Sequence, residues 1–230
     1  VESVDSIVTA PARRFERRKV LGLDGYLLTG GGERETVTRN AVCFGAGHTA
    51  STPVYILNWL RNNNNVIFSD DETRYRKYNL FEEIKAVSEI DGKGYELTIP
   101  FTCDPYRYWV SPTTTNINSS QGAAGYRLNN TATAECLPRI RVGRTSASGG
   151  AGWIQWGTGS GNRIEFSNLS YPLYIDSELR EIYYEDTANG NANEITTLAK
   201  FPTIAGNGYK DITFGGNVLK LTVESRERDY

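Results

Sequence analysis

Tyr95-Glu96-Leu97-Thr98-Ile99-Pro100-Phe101-Thr102-Cys103 is the stretch on which the reading of this chain turns. Its odd positions are apolar and its even positions are polar or proline. A period of two over this length is the pattern of a strand with one buried and one wet face. Pro100 has no N–H to give to a ladder, so the pattern predicts an edge strand, or a bulge at that residue. Upstream, a long run over 74–90 is followed by Asp91-Gly92-Lys93-Gly94, a turn signal. The two runs read together as a long β-hairpin. One short helix is expected over 52–61, with Thr52 as N-cap, Pro53 as the first helical residue and an apolar stripe of Ile56, Leu57 and Leu60 beside Trp59. The asparagine run 62–65 should end it, and Val66-Ile67-Phe68 should begin the next strand.

Outward from this region the composition changes. Residues 111–121 are rich in Ser, Thr and Asn and read as a loop or linker. Beyond them come short apolar-alternating runs at 137–142, 153–156, 163–166, 173–175, 179–184, 212–214 and 219–223, separated by Gly, Ser and Asn clusters. Short strands punctuated by turns imply a β-sandwich or barrel. With 23 Gly, 14 Tyr and 4 Trp in 230 residues, the whole chain has the composition of an all-β protein. The expected organisation is an N-terminal β domain over 1–110 and a C-terminal β domain over 111–230.

Charge and cysteine content exclude several classes. The chain has 25 Lys+Arg against 27 Asp+Glu, and residues 1–107 hold 14 and 15 of these. A free-standing nucleic-acid binder is usually basic overall, and neither half is. No apolar run approaches a membrane span, and no leader pattern is read at the start. Cys43, Cys103 and Cys136 are widely spaced, and His48 is the single histidine. That excludes a disulfide framework and the usual zinc fingers. The thiols are expected buried or half-buried on strands, in a protein made in a reducing cytoplasm.

No catalytic, cofactor or metal site is read. His48 lies in the Gly-rich segment Gly45-Ala46-Gly47-His48-Thr49 with no nucleophile or orienting acid in view. Gly30-Gly31-Gly32 and Gly157-Thr158-Gly159-Ser160-Gly161 lack a following Lys and read as turns. Glu82 and Glu83 would point to opposite faces of a strand, and Asp70-Asp71-Glu72 reads as a solvated turn, so no carboxylate pair is placed to flank a glycosidic bond. Trp153 and Trp156, three apart, fall on opposite strand faces; at most one can be an exposed sugar platform. Arg13-Arg14-Phe15-Glu16-Arg17-Arg18-Lys19 is the one dense basic stretch and reads as a solvated strand or a protein-contact patch.

Several phrases, taken together in order and spacing, resemble one family. These are Gly22-Leu23-Asp24-Gly25, Asn58-Trp59-Leu60, the run Phe68-Ser69-Asp70-Asp71-Glu72-Thr73-Arg74-Tyr75-Arg76-Lys77-Tyr78, and Phe101-Thr102-Cys103-Asp104-Pro105-Tyr106-Arg107-Tyr108. The family is the distal tail protein (Dit) family of tailed bacteriophages. The resemblance covers 4–110, with weaker echoes at Ile175-Asp176, Phe201-Pro202 and Gly206-Asn207. It implies an N-terminal domain related to tail-tube proteins and a C-terminal galectin-like β-sandwich. It also implies a homohexameric ring, single or as two rings back to back, in the tail tip or baseplate of the virion. Such a ring joins the tail tube protein to a Tal-like tail-tip protein and can carry receptor-binding proteins. Duplex DNA passes through its channel without specific binding, and no cofactor or enzymatic activity is implied.

Candidate subunit or partner contacts are Arg13, Arg14, Arg17, Arg18, Lys19, Arg74, Tyr75 and Tyr78. Each phosphate contact strengthens binding and slows sliding. The basic stretch is therefore expected to be paired with acids or held at a protein contact, and not to line the lumen as a free cationic stripe. The arm between subunits is expected in the 74–103 hairpin or in the 19–44 region. The competing reading from another class is a monomeric, lectin-like module for cell-wall glycans, with Trp109, Trp153 or Trp156 as platform.

Overall fold

A computed structural model of the chain describes residues 16–19, 26–29, 34–46, 58, 60–81, 87–90, 94–145, 148–186 and 190–230. The chain forms two compact units, Val1–Val110 together with Tyr230, and Ser111–Asp229. Both are built almost wholly from antiparallel strands, as the composition predicts.

In the first unit, β1 (Glu16–Lys19) and β2 (Tyr26–Thr29) pair as a separate two-stranded sheet. The main sheet holds β3 (Val37–Ala46), β4 (Asn65–Val66), β5 (Arg74–Phe81), β6 (Val87–Ile90), β7 (Gly94–Cys103) and β8 (Arg107–Trp109). Its spatial order runs β8-β5-β7-β3, with β4 against β5 and β6 against β7. The expected hairpin is present, since Ile90 pairs with Gly94 across the reversal.

The expectation of an edge position for the 95–103 strand is corrected. β7 is interior: β3 pairs with it along all ten residues, while β5 takes 101–103 and β6 takes 94–97 on the other side. Pro100 falls between those two partners, where a missing N–H breaks no bond of either ladder, and β5 carries a register shift between Tyr78 and Leu80. Ile99, Phe101 and Cys103 are buried as the alternation requires. The opposite face is less wet than expected, for Thr98 and Thr102 are half-buried and Pro100 is buried.

Phe101 organises this core. The rings of Tyr78 and Phe68 meet it edge-on at 4.9 and 6.1 Å, and the Tyr78 hydroxyl donates to the Leu60 carbonyl at 2.6 Å. That bond fixes the buried Leu60 at the end of the expected helix. Residues 58 and 60–62 are helical, and the helix start, with Thr52 and Pro53, lies outside the described residues. The strand after it is only Asn65–Val66, and Ile67 is exposed.

The second unit is a two-sheet sandwich. Its strands are β9 (Thr113–Asn118), β10 (Tyr126–Asn130), β11 (Arg139–Arg144), β12 (Gly152–Trp156), β13 (Arg163–Phe166), β14 (Leu173–Asp176), β15 (Glu181–Tyr184), β16 (Thr196–Leu198), β17 (Gly208–Gly216) and β18 (Val218–Ser225). One sheet runs β10-β17-β12-β13-β16 and the other β15-β14-β11-β18-β9. Alternate residues of both, among them Ile154, Ile164, Phe166, Ile212 and Phe214 from the first and Ile117, Ile140, Val142, Ile175 and Val223 from the second, form one buried cluster. Facing sheets sharing one core are the definition of a sandwich.

Residues 111–121 correct the loop expectation. They form β9 and open a short helix, α1 (Ser119–Ala124). Threonine suits a pleated edge, and the fully buried Ile117 anchors the strand. Asn118 then caps the helix: its side chain accepts from the Gln121 N–H while the Gln121 side chain accepts from the Asn118 N–H, both at 3.0 Å. Gly122 lets the Phe214 ring lie against the helix, since a Cβ there would stand 2.3 Å from that ring.

Candidate functional site: the Phe68–Trp109 rim and the outer strand β3

The turn after Phe68 is where the sequence expected solvated acids; Asp70 and Glu72 are exposed, and the reading is corrected for Asp71, which is half-buried. Asp70 accepts from Arg39 at 2.7 Å. Asp71 accepts from the Thr73 hydroxyl at 2.8 Å, from Arg74 at 3.3 Å and from Arg107 at 3.2 Å. Burial alone would raise the Asp71 carboxyl. The hydrogen bonds from Thr73 and Arg74 and the charges of Arg74 and Arg107 together outweigh it and hold the group below the usual carboxylate range. Sheet order assembles this cluster: β5 supplies Arg74 and Arg76, β8 supplies Arg107 as its first residue, and β3 supplies Arg39.

Arg39, Phe68, Asp71, Arg74, Arg76 and Arg107 line a small cleft. Arg76 is 5 % exposed and donates to the carbonyls of Asp104 and Pro105, both at 3.2 Å. Burial lowers its guanidinium from the ordinary value, with Arg107 and Arg39 adding to the effect. Arg107 also donates to the Tyr230 main-chain oxygen at 3.0 Å, and Arg34 lies over the Tyr230 ring at 3.6 Å.

Aromatic side chains continue the rim. Arg74 lies over the Trp109 ring at 4.1 Å, and Tyr75 stacks on Tyr108 at 5.3 Å. Trp109 is 36 % exposed, and Val110 and Ile67 are also exposed. Arg74 therefore lies on the rim with Trp109, whereas Tyr75, the next residue of β5, faces the other side of the sheet with Tyr108 and Lys77. The Tyr78 ring is buried in the Phe101 core, and the expectation of it as a partner contact is corrected. Arg17, Arg18 and Lys19 lie on β1, whose backbone pairs Arg17 with Leu28 and Lys19 with Tyr26. Arg13, Arg14, Glu82, Glu83 and His48 lie outside the described residues.

β3 is the second feature. It ends the sheet order, and among the described residues no strand pairs with its outer side. Ten residues of open ladder form a template for another strand. The phase of that ladder follows from Pro100, which pairs with Asn40. A proline fits where its nitrogen faces away from the neighbour. This makes Asn40–Pro100 a non-hydrogen-bonded pair and turns the Thr38 and Asn40 amides outward.

Among the described residues no group of three or more His, Cys, Asp or Glu could hold a metal ion, and no helix is long and apolar enough to cross a membrane. Cys103 and Cys136 are buried free thiols, pushed up by burial to about 11 and about 12. Trp156 is buried and Trp153 half-buried on the opposite strand face, as their spacing predicts.

The geometry describes a two-unit, all-β protein with an open sheet edge and an arginine-rich rim in the first unit and a sandwich in the second. No family model matches this chain, and no curated protein matches it. Among solved structures it is similar to the crystal structure of the SPP1 Dit (gp 19.1) protein, described as a paradigm of the hub adsorption apparatus in phages that infect Gram-positive hosts. The TM-score is 0.62 at 19 % identity, covering 96 % of this chain and 90 % of that one. The fold is thus the Dit-like fold that the sequence resemblance implies, across both units.

Proposed function

We propose that this chain is a structural component of a bacteriophage tail tip or baseplate, a distal-tail-type hub with no enzymatic role. Six copies close a ring, single or as two rings back to back, around the channel through which duplex DNA passes. The N-terminal units form the ring and join the tail tube protein to a Tal-like tail-tip protein. The C-terminal units, galectin-like sandwiches, give receptor-binding proteins a place to attach. The protein is made in the host cytoplasm and resides in the virion.

The observation that carries this reading is the outer side of β3, which no strand among the described residues covers, in a chain whose fold follows a hub protein over nearly its whole length. A closed ring needs a head-to-tail contact. An outward edge on one side of each unit, met by a strand from the next copy, supplies one and removes the aggregation hazard of a strand edge that no described strand covers. The rim around Arg74 and Trp109 is a second contact surface, with exposed apolar groups beside charge.

Native mass spectrometry and negative-stain imaging of the full chain test the reading. The expected result is a ring of about six copies or a stacked pair of such rings. A lone monomer, in solution and within intact virions, would overturn it. Removing 111–230 is expected to leave the ring, and a monomeric product would move assembly to the second unit.

A further inference from the structure

We propose that the outer face of the β10-β17-β12-β13-β16 sheet binds a neutral oligosaccharide, with Trp153 as its stacking platform. This goes beyond the ring reading and is independent of copy number. The face is defined by register. Trp153 pairs with Gly215 on one side and Glu165 on the other, Gln155 with Thr213 and Arg163, Arg127 with Asp211, and Glu165 with Thr197. These side chains point away from the core, because their neighbours Ile154, Trp156, Ile164, Ile212 and Phe214 fill it.

Three observations select the ligand class. The first is an aromatic plane held flat. A Cβ on Gly215 would stand 3.1–3.2 Å from three ring atoms of Trp153, so the indole lies against the backbone of β17 and turns its other face outward. That outward face carries the Arg163 guanidinium at 4.6 Å, a side chain 42 % exposed that can swing aside. Beside it runs a groove of about 370 Å³ lined by Trp153, Arg163, Glu165, Phe166, Ser167 and Thr197, within the roughly 300–1,000 Å³ of small-molecule sites.

The second is charge balance. Arg163 pairs with Glu165 at 2.8 Å and Arg127 with Asp211 at 2.7 Å, so the named charges cancel. An anionic ligand would find no surplus cation, and a cationic one no surplus carboxylate. The third is mixed hydrogen bonding. Guanidinium donors, carboxylate acceptors, the Gln155 amide oxygen (its N–H groups are given to the Gly157 and Gly159 carbonyls) and the two-way hydroxyls of Thr197 and Thr213 alternate across the face. A second aromatic, Tyr209, lies at its far end with Arg127 over the ring at 4.0 Å. A ligand rich in both donors and acceptors, uncharged, and with an apolar C–H face for an aromatic ring is a sugar. The spread of the face over five strands suits more than one residue.

The test uses the full chain on a printed array of neutral oligosaccharides built from glucose, galactose, rhamnose and N-acetylhexosamines, with trigalacturonate as acidic control. Hits are titrated by calorimetry and by tryptophan fluorescence. Saturable binding of a neutral oligosaccharide is expected. Affinity should fall about two- to tenfold in Trp153→Ala, the size of one lost aromatic contact, and also fall in Glu165→Gln, a surface change that spares the core. Binding of no neutral member, binding of trigalacturonate alone, or unchanged affinity in both variants would each overturn the proposal.

Discussion

In the second unit the strands that end the two sheets run five (β10), three (β16), four (β15) and six (β9) residues. In the first unit β3 ends its sheet with ten. Short edges are one way a protein keeps a sheet from recruiting strangers; a long uncovered one invites a partner. The charges differ in the same sense. In the second unit one guanidinium, Arg226, is shared by Asp176, Glu178 and Glu224. In the first, one carboxylate, Asp71, is shared by Arg74 and Arg107 while Arg76 is buried close by. The sandwich neutralises its cation internally, while the first unit gathers cations at a rim. The second unit ends its sheets on short strands, and the first ends on a long one.

The sharpest way to break this contrast is at the open edge. Thr38→Pro and Asn40→Pro remove outward amides without touching the β3–β7 bonds, and both side chains are exposed. Complete loss of assembly is expected, read by native mass, with the far-ultraviolet circular dichroism unchanged. A ring that survives both would show that β3 is not the joint.

Next in size is Asp176→Asn. Asp176 is 1 % exposed, takes two hydrogen bonds from Arg226 at 3.0 and 2.9 Å, and accepts the Glu178 and Leu179 amides. Removing one partner of a buried pair costs about 3–5 kcal/mol, to be read by denaturant unfolding of the second unit.

Asp71→Asn should cost less, about 1–2 kcal/mol, because the group is a fifth exposed. It also has a pH signature. The folded Asp71 carboxyl titrates below its unfolded value of roughly 3.9, so its stabilisation is complete above that pH. It is lost as pH falls through the lower, folded value. The stability of the first unit should therefore begin to fall below about pH 4, and the asparagine variant should show a shallower decline. The smallest effect belongs to Arg127→Ala, which breaks a pair whose side chains are about half exposed. Its melting temperature should match the parent.

How much of this was legible before the structure depends on how local the signal is. The 95–103 strand and the short strands at 139–144, 152–156 and 163–166 announce themselves by period-two alternation. The opposite faces of Trp153 and Trp156 follow from a spacing of three. β9 was missed because five of its six residues are polar and Ile117 alone marks its buried face. The interior position of β7 was missed because a proline rules out a donor, and whether a partner needs that donor depends on where two other strands stop. The Asp71 cluster was invisible for a related reason. Arg39, Asp71 and Arg107 are far apart in the chain, and only sheet order brings them together.

The two buried thiols give each half of the molecule its own clock. With ionisation pushed to about 11 and about 12, neither Cys103 in the first unit nor Cys136 in the second offers a thiolate at neutral pH, and alkylation must wait for a transient opening. The labelling rate of each peptide then measures how often that half breathes. Docking of neighbours along β3 should slow the Cys103 clock and leave that of Cys136 unchanged.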